Sequence, residues 1–320
     1  MHYRRLGRTA IDVSVVSFGA GPVSGWFAST DDAEPVRIVR RAVERGINWF
    51  DTAATYGDGR SEETLGRCLE EIGAADRVHV ATKVRLNDAA FDDIRSFVLR
   101  SVEGSLRRLR RDEVTLLQLH NSVTARRGDQ PTSVTPANVL DSRGVLAAFE
   151  ELRDAGVVRH LGFTGLGDVP SMRCIIDSGR FETVQTPYNM LNPSAGCAVS
   201  DVSGDANYGD IFSHCRQQGM GAFAIRVFAG GALAGQEPSA HTKVTKFFPL
   251  DLYERDRARA AECAATLPPG VALRQAAVRF ALEHPVVTSA LIGFGRESEV
   301  DEVVEWATEA TTRAGRADGK

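Results

Sequence analysis

Residues 47–66, INWFDTAATYGDGRSEETLG, decide how the rest of the chain is read. Ile47 to Phe50 is a short apolar run of strand length, and an acid, Asp51, closes it. A phenol, Tyr56, follows on a small-residue loop, and Glu62 to Ile72 then carries the apolar spacing of an amphipathic helix. Strand, polar loop and helix in that order make one βα unit, and the unit recurs. Apolar runs of the same kind lie at Val15–Phe18, Val78–Ala81, Val114–Leu119, Val158–Phe163, Thr183–Thr186, Gly221–Ile225 and Ser289–Ile292, which brings the candidate strands to eight. Helical patterns at Pro35–Arg45, Asp92–Leu109, Gly144–Ala155, Pro170–Ser178, Gly209–Gln218 and Leu273–Glu283 separate most of them.

Eight such units suit a closed barrel of parallel strands, in which the C-terminal strand ends converge on one rim and the reactive groups collect there. Asp51 and Tyr56 stand at such an end. So do Lys83, in VHVATKV, and His120, in VTLLQLH. Taken singly, each has a plain structural reading: a helix cap, a half-buried aromatic, a solvated strand end, a satisfied core histidine. Four chemically complementary groups at successive strand ends read together as a proton-transfer site. A positive charge against a phenol favours its ionised form, a carboxylate keeps a buried ammonium charged, and an imidazole can donate to a substrate oxygen.

The block Asp51-Thr-Ala-x-x-Tyr56-Gly, Ser61-Glu-Glu-Thr-Leu-Gly66, Lys83 and His120 resembles the aldo-keto reductase superfamily, over a frame running from Arg5-Leu-Gly-Arg-Thr to about Glu305. The resemblance implies an α/β fold, a (β/α)8 TIM barrel with an N-terminal β-hairpin plug over Arg4–Val13. It also implies NAD(P)-dependent interconversion of a carbonyl and an alcohol, with Asp51, Tyr56, Lys83 and His120 as the catalytic set. Two other readings stay open: a cofactor-binding relative without turnover, and a barrel enzyme in which Lys83 forms a Schiff base with its substrate.

Composition fits one large catalytic domain. With 320 residues, 43% of them hydrophobic and 25% charged, the chain is long enough for a single α/β barrel. Its 38 basic and 42 acidic residues, a net charge of −4, are mixed along the sequence and leave no footprint for nucleic acid or an anionic membrane. The start, MHYRRLGRTA, has no apolar core of signal-peptide type and no run reaches membrane-span length, so a cytoplasmic enzyme of small molecules is expected. Five cysteines without paired spacing point to free thiols and no metal site. A monomer is the family-level expectation, with a homo-oligomer left open. Residues 313–320 read as a polar, frayed tail.

A nucleotide fingerprint is missing, since Gly19-x-Gly21 lacks its third glycine, so cofactor contacts have to come from loops. Where the family holds the nicotinamide carboxamide with a Ser-Asn pair and a glutamine, this chain has Thr164-Gly165 and Gln185, one side chain fewer. After the seventh strand, Arg226 is placed to meet the pyrophosphate. After the eighth, Gly293, Arg296 and Glu299 stand at the adenosine end. Arg296 leads to an expectation of NADP, with NAD kept beside it because Glu297 and Glu299 dilute the cation.

Two long connections, Asn121–Ser142 and Ala229–Leu252, are expected to wall the pocket on the C-terminal rim. Its lining is expected to include Trp26 of the first loop, Asn121 beside His120, and Tyr188 after the sixth strand.

Overall fold

The computed structural model describes residues 1–28, 31–199 and 205–317. A hairpin of β1 (Tyr3–Arg5) and β2 (Asp12–Ser14) comes first, paired Tyr3 to Ser14 and Arg5 to Asp12. Eight parallel strands follow: β3 (Val16–Gly19), β4 (Trp49–Asp51), β5 (His79–Val84), β6 (Val114–Leu119), β7 (Val158–Thr164), β8 (Thr183–Pro187), β9 (Gly221–Ile225) and β10 (Val287–Ile292). Each pairs with the next, and β10 closes on β3 with Ala290 opposite Val16 and Ile292 opposite Phe18. The (β/α)8 barrel and its hairpin are as the sequence predicts.

The outer ring is formed by α1 (Ala33–Glu44), α2 (Arg60–Glu71), α3 (Ile94–Leu109), α4 (Pro136–Leu140), α5 (Val145–Asp154), α6 (Val169–Asp177), α7 (Ile211–Gln217), α8 (Leu250–Thr266), α9 (Leu273–Glu283) and α10 (Glu297–Ala317). Local chemistry sets many of their ends. Gly46 adopts φ 86° just past α1 and donates its N–H to the Val43 carbonyl at 3.0 Å, a left-handed stop that other residues adopt only under strain. Both long connections carry structure of their own. Within the first, Thr135 and Asn138 form a capping box around Pro136 and start α4. The second contains a 3-10 turn at Ala229–Ala234 before it runs into α8. The last helix continues to Ala317; of the expected tail, residues 318–320 lie outside the described residues.

Alternation along each strand separates two cores. Outward residues such as Phe18 and Phe50, stacked with ring centroids 5.2 Å apart, pack under the helices. Inward residues fill the barrel in layers. At the N-terminal end Trp49, Ala81, Leu116 and Phe223 form an apolar floor that Leu6 and Val13 of the hairpin cover from below. Arg8 fastens the hairpin, its guanidinium donating to the carbonyls of Gly179, Phe181 and Gln218 at 2.6–2.8 Å. Above the floor the filling turns polar, with Asp51, Lys83, Gln118 and Gln185 all buried on inward positions. This change from apolar plug to polar layer sets the depth of the site.

Candidate active site

Asp51 ends β4, and Lys83 lies near the end of β5 beside it, where strand register sets Lys83 opposite Gln118 of β6. The Lys83 ammonium is 1% exposed and ion-pairs with Asp51 Oδ1, while also donating to the Thr52 carbonyl at 2.8 Å. The second carboxylate oxygen, Oδ2, accepts from Gln118 Nε2 at 3.0 Å and from Gln185 Nε2 at 2.5 Å. Burial alone would pull the lysine downward, but Asp51 and the nearby Tyr56 hydroxyl together hold it above the ordinary lysine value. A charge this deep is tolerable because it is paired with a carboxylate and hydrogen-bonded to a backbone carbonyl.

Tyr56 leaves the β4–α2 loop half-buried, its ring centroid 5.0 Å from Lys83 Nζ. The His120 ring meets it edge-on at 5.4 Å. His120 sits just past β6, and desolvation, followed by the charges of Arg85 and Lys83, lowers its pKa well below that of a free imidazole, so the ring is neutral at physiological pH. Its Nδ1 lies 3.3 Å from Thr55 Oγ1. All four residues singled out from the sequence therefore meet in one place.

Three supports were not foreseen. Gln118 and Thr55 are inward or loop positions with no sequence mark of their own. Gly21 faces the phenol across a gap, where a Cβ would make an ordinary contact at 3.8 Å from Tyr56 Cε2. The Ser61–Gly66 block proves to be the frame of the site. Ser61 Oγ donates to the Ala20 carbonyl at 2.7 Å, and Glu62, fully buried, accepts from Thr82 at 2.5 Å and from Arg108 Nε at 2.7 Å. Those bonds tie α2 and α3 to β5 one residue away from Lys83.

The expected pocket lining needs correction at three positions. Trp26 is 2% exposed and packs edge-on to Phe18 at 5.4 Å, in the layer between barrel and helices, because Phe18 is an outward residue of β3. Asn121 spends its side chain on the backbone: Oδ1 accepts from Leu86 N–H at 2.8 Å, and Nδ2 donates to the carbonyls of Leu86 at 2.9 Å and Thr132 at 2.5 Å. Tyr188 is enclosed by Phe212 of α7, Phe280 of α9 and His284, with burial pushing its hydroxyl up to about 12. It belongs to the outer core.

Among the expected cofactor positions, Thr164 ends β7 directly opposite Gln185 of β8. Thr164 Oγ1 is buried without a hydrogen-bond partner, and Gln185 Oε1 accepts no bond among the described residues. Gly165 has no room for a side chain, since a Cβ would lie 2.9 Å from Val184 Cγ2 and closer still to Thr186 Oγ1. Arg226, at φ 53°, lies at the β9 end with its guanidinium 3.9 Å from the Phe248 ring and 4.0 Å from Asp256. Its charge is thus already engaged.

Gly293 allows close packing of the first loop, where a Cβ would come within 3.1 Å of Ser24. Arg296 is mostly exposed and pairs at 3.3 Å with Glu299, a buried carboxylate that also accepts the Gly295 N–H at 2.8 Å. Among the described residues there is no cluster of metal-ligating side chains, and no helix is long and apolar enough to cross a membrane.

The model of the aldo/keto reductase family matches residues 15–313. This chain belongs to the aldo/keto reductase family. It is similar to L-galactose dehydrogenase of Arabidopsis thaliana, at 28% identity over 96% of this chain and 88% of that one. Pyridoxal 4-dehydrogenase of Microbacterium luteolum is 26% identical over 95% and 92% of the two chains. An aldo-keto reductase of Bacillus halodurans, solved in its holo form, superposes with a TM-score of 0.70 at 23% identity over 99% and 96%, which bears on the fold alone. The chain is accordingly an oxidoreductase of a family that uses NAD(P)H on small carbonyl or alcohol substrates.

Proposed function

We propose that this chain interconverts an aldehyde or ketone and the corresponding alcohol, with NAD(P) as the hydride carrier and Tyr56 as the general acid and base. The observation that carries the reading is the unbroken sequence of contacts Asp51, Lys83, Tyr56, His120 at the C-terminal ends of neighbouring strands. A bound nicotinamide would supply or accept the hydride at its C4.

The chain's own residues handle the proton. In reduction the Tyr56 hydroxyl gives its proton to the carbonyl oxygen, and in oxidation the phenolate takes it back. The Lys83 ammonium stabilises that phenolate, Asp51 keeps the ammonium charged, and Gln118 and Gln185 hold the carboxylate in place. Neutral His120, in the tautomer whose Nδ1 accepts from the Thr55 hydroxyl, would carry its hydrogen on Nε2 and donate it to the same substrate oxygen, which orients the carbonyl. A Schiff base on Lys83 fits poorly with an ammonium enclosed by Asp51, Thr52 and Tyr56, because the attacking amine must be neutral.

Thr164 Oγ1 and Gln185 Oε1, a buried unpartnered hydroxyl and an open acceptor on adjacent strands, fit a carboxamide. At the other end, a 2′-phosphate has to compete with Glu299 for Arg296. The reading is therefore that both nucleotides bind and that NADH binds the more tightly, against the NADP expected from the sequence. Titration with NADH and NADPH, followed by nucleotide fluorescence, tests this. Binding of both with NADH favoured, then turnover of a carbonyl panel, is the expected result; failure of either nucleotide to bind would contradict the proposal.

A further inference from the structure

Arg85 has no part in the proton transfer described above, yet it stands beside it. It follows β5 two residues after Lys83, so by strand alternation its side chain leaves from the same inward face, one layer nearer the barrel mouth. Its charge bears on both Tyr56 and His120. The backbone next to it is fixed, because Asn121 grips both the N–H and the carbonyl of Leu86.

The guanidinium itself makes no hydrogen bond and no ion pair with any described residue, and its Nε is buried without a partner. Its contact is with Phe247, whose ring centroid lies 4.5 Å from Cζ. That contact takes up no N–H group, so the donors of the guanidinium stay free of protein acceptors among the described residues. A half-buried, uncompensated cation is unfavourable in a folded chain, and a planar fork of donors matches a carboxylate.

Cofactor phosphates, which the sequence resemblance assigns to Arg226 and Arg296, are a poor candidate for an anion at Arg85. Around the closed barrel β5 is three strands from β10 and four from β9, the strands that lead to those two residues. We propose that Arg85 is the specificity residue of the substrate pocket and selects carbonyl compounds bearing a carboxylate, which the guanidinium holds while the carbonyl oxygen lies between Tyr56 and His120. The inference rests on the proposed oxidoreductase reading of the same site, and the experiment separates the two.

Benzoate and its neutral isostere benzamide are titrated calorimetrically into the wild-type protein and into the Arg85→Gln and Arg85→Lys variants, each first checked for an unchanged melting midpoint. Wild type should bind benzoate about 10-fold more tightly than benzamide or better, Arg85→Gln should erase the difference, and Arg85→Lys should keep part of it. Equal binding of the two by wild type, absence of benzoate binding, or a preference that survives Arg85→Gln would overturn the proposal.

In parallel, kcat/KM for 4-oxobutanoate is divided by that for butanal. The ratio should fall about 10-fold or more in Arg85→Gln, general damage to the enzyme cancelling between the two aldehydes. Turnover with an unchanged ratio overturns the anion site and leaves the oxidoreductase reading standing. An Arg85-dependent benzoate preference without turnover of either aldehyde does the reverse.

Discussion

At the scale of single residues, a strand-end position was legible and a side-chain direction was not. Asp51, Tyr56, Lys83 and His120 could be found because each follows an apolar run whose end is visible in the sequence. Trp26, Asn121 and Tyr188 shared the right loops, but loop origin does not say whether a ring turns to the mouth or to the helix layer. Their true partners, Phe18 for Trp26, Leu86 for Asn121 and Phe280 for Tyr188, are set by tertiary packing.

His120 also gives a pH prediction. Its folded pKa is depressed, so below about 6.5 the unfolded chain takes up a proton that the native state refuses. The stability that His120 contributes is present above that pH and lost as pH falls below it, with a slope of up to about 1.4 kcal/mol per pH unit. Between buffers at pH ~7.5 and ~5.5, the urea midpoint should therefore drop more in wild type than in His120→Gln. At the adenosine end, Glu299→Gln frees Arg296 and should raise NADPH affinity by about tenfold relative to NADH, read by fluorescence titration.

At the scale of elements, seven amphipathic helices were readable from period, and their observed ends fall within a few residues of the expected ones, while the two longest, α8 and α10, were not given bounds. α4 was missed because five residues carry no period, and it exists through the Thr135–Asn138 capping box. The Ser61–Gly66 motif was legible as a mark of the family but not as a mechanical part. Glu62 joins α2, α3 and β5 through Arg108 and Thr82, and Gly66 lets α2 approach the end of α3, where a Cβ would come within 2.7 Å of the Leu109 carbonyl. Glu62→Ala leaves Arg108 and Thr82 without their acceptor, and should lower unfolding free energy by about 3 kcal/mol in denaturant titration, with activity falling because β5 carries Lys83.

For the whole molecule, the closed barrel was legible because eight short apolar runs separated by helical patterns have few other ways to bury both faces. What the run lengths did not reveal is the vertical order inside it: an apolar floor of Trp49, Leu116 and Phe223 above the hairpin, then a polar layer around Asp51. That order explains why a buried charged pair sits in the middle of the protein, at the C-terminal ends of its strands. The barrel brings together groups from β4, β5, β6 and their loops, and the account depends on the phenol being the one that moves the proton.

Tyr56→Phe tests this most directly, because it removes a single oxygen and leaves the ring edge-on to His120. Single-turnover hydride transfer in the nucleotide-saturated variant should fall by about 10²- to 10⁴-fold while nucleotide affinity stays within about twofold. Transfer at the wild-type rate in that variant would contradict the account.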